Sequence, residues 1–292
     1  MRFAQLSDIH VPDFEGLHLR DFAGKRLTGA INLLTKRRNA HPLPVTERLL
    51  EDVVDQKLDH VVVTGDVTNL SLPGEFQRAA KLLRILGGYN ALTVIPGNHD
   101  VYTRGAERQQ RFLSYFGDVL FQESVPDTDR VFPAVKVFPS VVLAALSSAV
   151  ATPPFMAWGE VSTEQLDRMV EALTAAEHDR RFKVVLVHHH LHEESSRWKR
   201  YSARLRNAQA VIDRCFQAGV DLLLHGHTHL AHRTQIVRGG HTLSIIGSGS
   251  STQNTTDPDR VARYNIYTVN GRALRIRTRV YDPAARRFGW ML

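Results

Sequence analysis

Short apolar runs alternate with amphipathic stretches through the first hundred residues. The runs have the length and the polar boundaries of buried strands, and the stretches place apolar residues at helical spacing. The predicted strands are residues 2–7, 60–64 and 91–95, and the predicted helices are residues 45–57 and 74–86. This β-α-β-α-β order predicts parallel strands, whose carboxyl ends meet at one edge of a sheet.

The second half continues the pattern and then becomes all β. Helices are predicted near residues 104–116, 162–176 and 203–218, and strands at residues 130–137, 141–146, 182–187 and 220–224. In the tail, Arg238-Gly239-Gly240 and Asn270-Gly271 predict hairpin turns, and the stretch from Gly247 to Asp259 predicts a mobile loop. We therefore predict one α/β domain over residues 1–292, with two stacked mixed β-sheets flanked by helices.

Composition favours a globular protein with an anionic partner. The chain has 292 residues, 43% of them hydrophobic, with a formal net charge of +7 and a pI near 9.7. This content supplies a sizeable core, and the basic balance suits a phosphorylated substrate, nucleic acid or an acidic membrane surface. Cys215 is the single cysteine, so no intrachain disulfide is expected, and its apolar helical face predicts a buried thiol.

Membrane contact is expected to be peripheral at most. Strand-like residues follow Met1 and Arg2 directly, and no apolar run approaches the ~18 residues of a spanning helix. These features favour a cytoplasmic protein, with contact at the inner face of the membrane left open. The segment 20–41 has six basic residues against one acidic residue. It predicts either a solvated helix or an amphipathic insertion that touches membrane or an amphiphilic substrate.

Side chains that bind metals follow five of the predicted strands. The motifs are Asp8-Ile9-His10, Gly65-Asp66, Gly97-Asn98-His99-Asp100, His188-His189-His190 and Gly226-His227-Thr228-His229. In an extended segment the two outer residues of an Asp-x-His triplet point to the same side, which suits two ligands of one metal. Histidine-rich clusters without thiolates favour manganese, iron, cobalt or zinc over calcium.

The order and spacing of these motifs over residues 8–229 resemble the calcineurin-like metallophosphoesterases. The resemblance implies the calcineurin-like sandwich and two divalent ions ~3.5–4 Å apart that share a hydroxide for in-line attack on phosphorus. The first ion would be held by Asp8, His10 and His229, and the second by Asn98, His188 and His227. Asp66 would bridge both ions.

The same resemblance implies a catalytic pair beside the ions. His99 would bind the phosphate by a hydrogen bond and supply the proton of the leaving group, and Asp100 would orient His99. The family proline shortly after the fourth motif is replaced by Leu191-His192. Counting from the strand end therefore selects His188 as the ligand, whereas counting back from the missing proline selects His189.

Basic and aromatic residues beside the fourth motif are candidates for substrate binding. They are Arg197, Trp198, Arg200 and Tyr201. Aromatic rings among bases stack a nucleobase and pair with phosphate, or rest at a membrane interface, and a solvated lip without a substrate role remains the alternative.

Three functions are compatible with these residues. The motif set is most similar to the bacterial cyclic-nucleotide phosphodiesterase branch, which implies hydrolysis of a phosphodiester. The basic segment and the aromatic residues also resemble family members that cleave lipid-linked pyrophosphates, such as acylated UDP-sugars, at the membrane surface. A catalytically inactive metal-binding scaffold is the third possibility. No nucleic-acid-binding motif is present, so nucleic acid is not the expected partner, and the sequence leaves the oligomeric state open.

Overall fold

The computed structural model describes residues 1–13, 40–108, 110–122, 131–191 and 196–291. Of the basic segment 20–41, only Ala40 and His41 fall within these ranges, so its predicted helix lies outside the described residues. Within the described part of the chain, no helix has the length and apolarity needed to cross a membrane.

The first sheet is built from both ends of the chain. Its strands are β1 (Arg2–Leu6), β2 (His60–Val63), β3 (Leu92–Val94), β10 (Arg263–Asn270), β11 (Ala273–Asp282) and β12 (Arg287–Trp290). Their spatial order is β12-β11-β10-β1-β2-β3. Strands β1, β2 and β3 are parallel, as predicted, and β10 pairs antiparallel with β1. The sheet is therefore mixed.

The second sheet comes from the middle of the chain. Its strands are β4 (Ala134–Val137), β5 (Val141–Ala145), β6 (Phe182–Leu186), β7 (Leu222–His225), β8 (Ala231–Arg238) and β9 (His241–Ser248). Their order is β4-β5-β6-β7-β9-β8, with β5, β6, β7 and β9 parallel. The two predicted hairpin turns join β8 to β9 and β10 to β11. The prediction of two mixed sheets is confirmed.

Seven α-helices flank the sheets in the described ranges. They are α1 (Leu43–Asp55), α2 (Pro73–Leu83), α3 (Arg104–Arg108), α4 (Arg111–Leu120), α5 (Thr163–Leu173), α6 (Arg197–Ser202) and α7 (Ala208–Ala218). The single helix predicted for residues 104–116 is wrong, because left-handed backbone at Gln110 separates α3 from α4. The helix predicted from residue 203 begins only at Ala208.

The buried apolar residues form two clusters. Strand alternation places Leu222 and Leu224 of β7 in the larger cluster, which joins both sheets with α1, α2 and α4, and places Leu223 in a second cluster with α5 and α7. Cys215 lies fully buried in the second cluster, and burial raises the pKa of its thiol to about 12. The predicted buried thiol is confirmed. The ends of β1, β2, β3, β6 and β7 are thereby held at the same end of the sandwich.

The mobile loop predicted for residues 247–259 is wrong at its beginning. Ser250, Ser251 and Thr252 are buried. Their polar groups bind the backbone of the first motif: Ser250 Oγ donates to the Asp8 carbonyl at 2.8 Å, and Thr252 Oγ1 donates to the Ile9 carbonyl at 2.7 Å. Ser250, Ser251 and Thr252 therefore form a buried segment beneath the strand ends, called the packed floor below, and not a solvated loop.

Candidate metal centre

Backbone hydrogen bonds carry the pairing of the strands past their ends. The amide of Asp8 donates to the Gly65 carbonyl, and the amide of His10 donates to the Asp66 carbonyl, each at 3.0 Å. In the second sheet, the Gly226 amide donates to the His188 carbonyl at 3.0 Å. The loops that carry the motifs are thus extensions of the sheets, which fixes where their side chains point.

The first group of donors contains Asp8, His10 and His229. The Nε2 atoms of His10 and His229 lie 3.1 Å apart, and His229 Nε2 lies 3.4 Å from Asp8 Oδ1. His10 Nδ1 lies 3.1 Å from the Thr68 carbonyl oxygen, to which it donates. Nε2 of His10 therefore carries the lone pair that a metal would require.

The second group contains Asn98, His188 and His227. Asn98 Oδ1 lies 2.9 Å from His227 Nδ1 and 3.1 Å from His188 Nε2, and these two nitrogens are 3.3 Å apart. His188 Nδ1 donates to the Thr64 carbonyl at 2.7 Å, so Nε2 again carries the lone pair. The predicted set of three comes together as the motif order implies.

Asp66 lies between the two groups. Its Oδ2 atom is 3.8 Å from His10 Nε2 and 3.5 Å from His188 Nε2, and its Oδ1 atom accepts the His99 amide at 2.8 Å. One carboxylate oxygen therefore faces a ligand nitrogen of each group. This is the position that a bridging ligand requires.

The donor set fits borderline divalent ions. Nitrogens bound to one ion at the usual zinc–nitrogen distance are about 3.0–3.4 Å apart, and both histidine pairs have that spacing, at 3.1 and 3.3 Å. The donors are imidazoles, carboxylates and one amide oxygen, with no thiolate among them. Manganese, iron, cobalt and zinc all accept such ligands.

Most of the candidate ligands have unusual backbone conformations. Left-handed φ angles occur at Asp8 (50°), His10 (49°), Asp66 (55°), His227 (74°) and His229 (56°). Each such residue costs roughly 1–3 kcal/mol, and the surrounding structure must supply that energy. The left-handed conformation directs the side chains of these loop residues towards the centre.

The pKa values of the candidate ligands reflect the burial of several ionisable groups together. Burial, followed by the nearby Asp66 carboxylate, raises the pKa of Asp8 to about 7. Burial opposes the charged form of His188, but attraction to Asp66 and Asp8 outweighs it and raises the pKa of His188 to about 9. Divalent ions, when bound, would displace the protons of Asp8 and His188 and supply the positive charge that balances the carboxylates.

The structure groups His188, and not His189, with Asp66 and His227 as residues that could hold a metal ion. Both ring nitrogens of His189 face protein oxygens, with Nδ1 2.8 Å from Ser148 Oγ and Nε2 3.1 Å from the Ala157 carbonyl. The His189 ring therefore supports the loop beside the centre. The position at the strand end favoured His188 in the sequence, and His189 stayed open as the alternative because the partners of its ring are distant along the chain.

The structure assigns Asp100 a task other than orienting the His99 ring. Its carboxylate accepts the amides of Gly97, Val67 and Thr68 and the Thr68 hydroxyl, at 2.8–3.2 Å. His99 Nδ1 instead donates to the Asn69 carbonyl at 2.6 Å. The expectation that Asp100 orients the His99 ring directly is therefore corrected: Asp100 ties the loop after β2 to the loop after β3.

The predicted substrate residues are only partly described. Trp198 and Tyr201 lie on α6 with 59% and 65% of their surfaces exposed and ring centroids 6.2 Å apart, whereas the side chains of Arg197 and Arg200 lie outside the described residues. The Ser202 carbonyl at the end of α6 accepts the Ala157 amide at 2.6 Å. Because the Ala157 carbonyl faces His189, α6 is linked to the edge of the centre.

His41 lies at the centre although its motif context gave no signal. It precedes α1, is only 4% exposed, and its ring centroid lies 4.8 Å from that of His10 and 5.6 Å from that of His229. The motif residues all follow predicted strands, and His41 follows none of the strands that the sequence predicts.

A two-sheet sandwich with such donors at its strand ends is typical of metal-dependent hydrolases. The model of a family described as calcineurin-like phosphoesterase matches residues 1–231. The chain therefore belongs to the calcineurin-like phosphoesterase family, and it is a metal-dependent phosphoesterase.

Solved structures share the fold at low sequence identity. A dimetal phosphatase from Danio rerio is 15% identical with a TM-score of 0.59, over 94% of this chain and 98% of that one. The protein TT1561 from Thermus thermophilus is 10% identical with a TM-score of 0.50, over 94% of this chain and 97% of that one. A comparison with curated proteins gave no significant match.

Proposed function

We propose that this centre holds two divalent ions, drawn from manganese, iron, cobalt and zinc, and hydrolyses a phosphodiester. The position of Asp66 carries the proposal, because its Oδ2 atom faces His10 Nε2 at 3.8 Å and His188 Nε2 at 3.5 Å. A shared carboxylate between two donor groups is what a pair of ions needs. Such ions, when bound, supply an activated water and neutralise charge on phosphoryl oxygens.

The charge of the ligand set favours an anionic substrate. Asp8 and Asp66 are the two carboxylates in the proposed set, and Asn98 and the histidines are neutral donors. Two divalent ions would therefore keep a net positive charge, which attracts a phosphate group. The basic balance of the whole chain, +7, acts in the same direction.

In this proposal, His99 handles the proton of the leaving group. Its Nδ1–H is held by the Asn69 carbonyl at 2.6 Å, so Nε2 is the atom that exchanges a proton with substrate. The ring packs edge-on against His10, 5.0 Å between centroids, and stacks on Tyr102 at 5.4 Å. An alcohol leaving group of a phosphodiester needs that proton, and the presence of His99 argues against an inactive scaffold.

A second candidate function is supported by exposed aromatic rings near the centre. Phe155 is 74% exposed, and its loop is hydrogen-bonded to α6, which carries Trp198 and Tyr201. The exposed Arg204 follows in the same stretch. Apolar rings beside bases suit the acyl chains and phosphates of a lipid-linked pyrophosphate such as an acylated UDP-sugar at a membrane surface.

A panel of substrates tests the proposed function. The metal-free protein is reconstituted with Mn²⁺, Co²⁺ or Zn²⁺ and assayed with cyclic AMP, bis-p-nitrophenyl phosphate, p-nitrophenyl phosphate and an acylated UDP-sugar. We expect the highest kcat/KM with a diester, and no turnover by Asp66→Ala with any substrate. A clear preference for the monoester would contradict the proposal, and a preference for the UDP-sugar would establish the second candidate.

The aromatic rings allow the second candidate to be tested separately. Trp198→Ala and Tyr201→Ala should raise KM for the acylated UDP-sugar and leave KM for the water-soluble bis-ester unchanged. Val237→Ala, which alters an exposed apolar residue on β8, is the matched control. Equal KM values for parent and variants on the lipid-linked substrate would rule out a role for Trp198 and Tyr201 in substrate binding.

A further inference from the structure

We propose that His41 is an additional nitrogen ligand of the ion held by His10 and His229. The inference rests on the metal centre proposed above and does not depend on which phosphate ester is the substrate. His41, His10 and His229 each offer a ligand atom, and these three atoms lie within 4.8 Å of one another. Ligands on opposite sides of a six-coordinate ion, each about 2.1 Å from it, are about 4.2 Å apart, so the three atoms must approach one another by at most roughly half an ångström to share such an ion.

The hydrogen bond of the His41 ring fixes which nitrogen would bind the ion. His41 Nδ1 lies 2.9 Å from Thr252 Oγ1, and that hydroxyl donates its only proton to the Ile9 carbonyl at 2.7 Å. The hydroxyl must therefore accept the Nδ1–H of His41. The neutral ring then carries its lone pair on Nε2, which is the form a metal requires.

His41 shares this arrangement with two of the motif ligands. His10 donates Nδ1–H to the Thr68 carbonyl, and His188 donates Nδ1–H to the Thr64 carbonyl. Metal-binding histidines almost always donate their second ring nitrogen to an oxygen, which orients the ring and sets its tautomer. His41 is also almost fully buried, at 4% exposure, like His10 and His188, which are fully buried.

The support of His41 comes from the packed floor beneath the strand ends. Thr252 is fully buried there, and the Asn254 amide donates to the Ala40 carbonyl at 2.8 Å, next to His41. The segment that holds His41 thus also contacts the backbone of the first motif through Ile9. The ring of His41 and the backbone next to it are therefore both positioned before any ion binds.

An additional imidazole would change the metal preference of one half of the centre. The ion at Asp8, His10, Asp66 and His229 would gain a third nitrogen, whereas the ion at Asn98, His188 and His227 would not. Nitrogen donors favour cobalt and zinc over manganese. We therefore expect the two ions to differ in affinity for cobalt, and His41 to be the cause.

Cobalt titration of matched variants tests the proposal. Metal-free parent, His41→Ala and His41→Gln are titrated with Co²⁺ while the visible absorption spectrum and competition with a chromophoric chelator are recorded. We expect one of the two equivalents to bind at least ~10-fold more weakly in both variants, with a changed cobalt spectrum. Parental affinities and an unchanged spectrum for both equivalents would overturn the proposal.

Two controls separate this proposal from the others. His60→Gln removes a buried imidazole that is hydrogen-bonded to Asn90 and Thr93 outside the centre, and it should bind cobalt like the parent. Asp66→Ala should disturb both equivalents, and if it does not, the proposed centre itself is wrong.

Where His41 variants do not fold, a crystal structure of the zinc-loaded parent decides: Nε2 of His41 at about 2.1 Å from zinc supports the proposal, and beyond ~3 Å overturns it.

Discussion

The backbone amide of His99 is bonded to the centre, whereas its ring is the general acid that we propose. Its amide donates to Asp66 Oδ1 at 2.8 Å, and its ring is held by the Asn69 carbonyl. Because the amide survives substitution, His99→Ala should keep both metals while kcat falls by roughly 10²–10⁴-fold, the range of one general acid. Elemental analysis and steady-state kinetics measure the two effects.

The leaving group provides the control for His99. A p-nitrophenolate departs without a proton, whereas an alcohol does not, so the loss should be much larger for a diester with an alcohol leaving group than for a p-nitrophenyl ester. Equal losses on both substrates would show that His99 acts by binding phosphate rather than by proton transfer. A loss of metal in His99→Ala would show a structural role.

His60 should make stability depend on pH independently of the metal centre. Burial lowers the pKa of His60 from 6.5 to about 4, and its nitrogens are hydrogen-bonded to the Asn90 carbonyl and the Thr93 hydroxyl. Between these values the unfolded chain binds more protons than the folded one, so stability present above pH 6.5 is lost as the pH falls towards 4. The loss amounts to about 3 kcal/mol.

Urea unfolding of parent and His60→Gln from pH 4 to 7 measures this effect. The free energy of unfolding of the variant should depend less on pH by about one proton, because the glutamine side chain does not titrate. Ionisation of the metal ligands is common to both proteins and cancels in the difference. Parallel curves would show that the His60 ring titrates normally in the fold.

At the scale of elements, the loops after β2 and β3 approach so closely that only glycine fits between them. A Cβ atom at Gly97 would collide with the Oδ1 atom and the backbone nitrogen of Asp66. Gly97→Ala should therefore displace Asp66, lower the free energy of unfolding by about 1–3 kcal/mol and weaken metal binding.

Gly88→Ala is the matched control, since nothing lies within 4 Å of its Cβ position. Cobalt binding and urea unfolding of both variants measure the effects, and equal cobalt affinity in the two would refute the close-packing argument.

Local pattern was sufficient to predict the strands and the convergence of the motif residues at one end of them, whereas their roles as metal ligands come from the family resemblance and stay a prediction. Strand ends are marked by a change from apolar to polar residues, and parallel pairing brings those ends together, so Asp8, Asp66 and Asn98 were placed without knowledge of the fold. The order of strands across two sheets was not predictable in this way, because it depends on pairing between distant segments such as β1 and β10.

What the sequence left open concerns side chains whose partners are distant in sequence. His189 was the alternative to His188, and its ring nitrogens face Ser148 and Ala157. His41 gave no signal because Thr252, its partner, follows more than 200 residues later. Hydroxyl-rich sequence has the same composition whether it is solvated or buried against backbone, so the buried segment from Ser250 could not be told from a loop.

At the scale of the whole molecule, the tail completes both sheets. Strand β10 covers one edge of β1, and β9 covers one edge of β7, although both lie outside the family match at residues 1–231. A fragment of residues 1–231 would keep every motif ligand yet expose those two central strands as open edges. We expect it to aggregate and to lack cooperative unfolding. Size-exclusion chromatography and urea titration measure this, and a monomeric fragment that binds cobalt would contradict it.

Selection for heat resistance alone would favour substitutions that remove the ligands of this centre. Glycine accepts the left-handed backbone that Asp8, His10, Asp66, His227 and His229 adopt at a cost, so replacing any of them removes strain from the metal-free chain. A library screened only for survival at high temperature without added metal would therefore accumulate glycine at these ligand positions and lose activity while gaining stability. Screening in the presence of metal reverses the pressure, because the bound ions then stabilise only the sequences that keep their ligands.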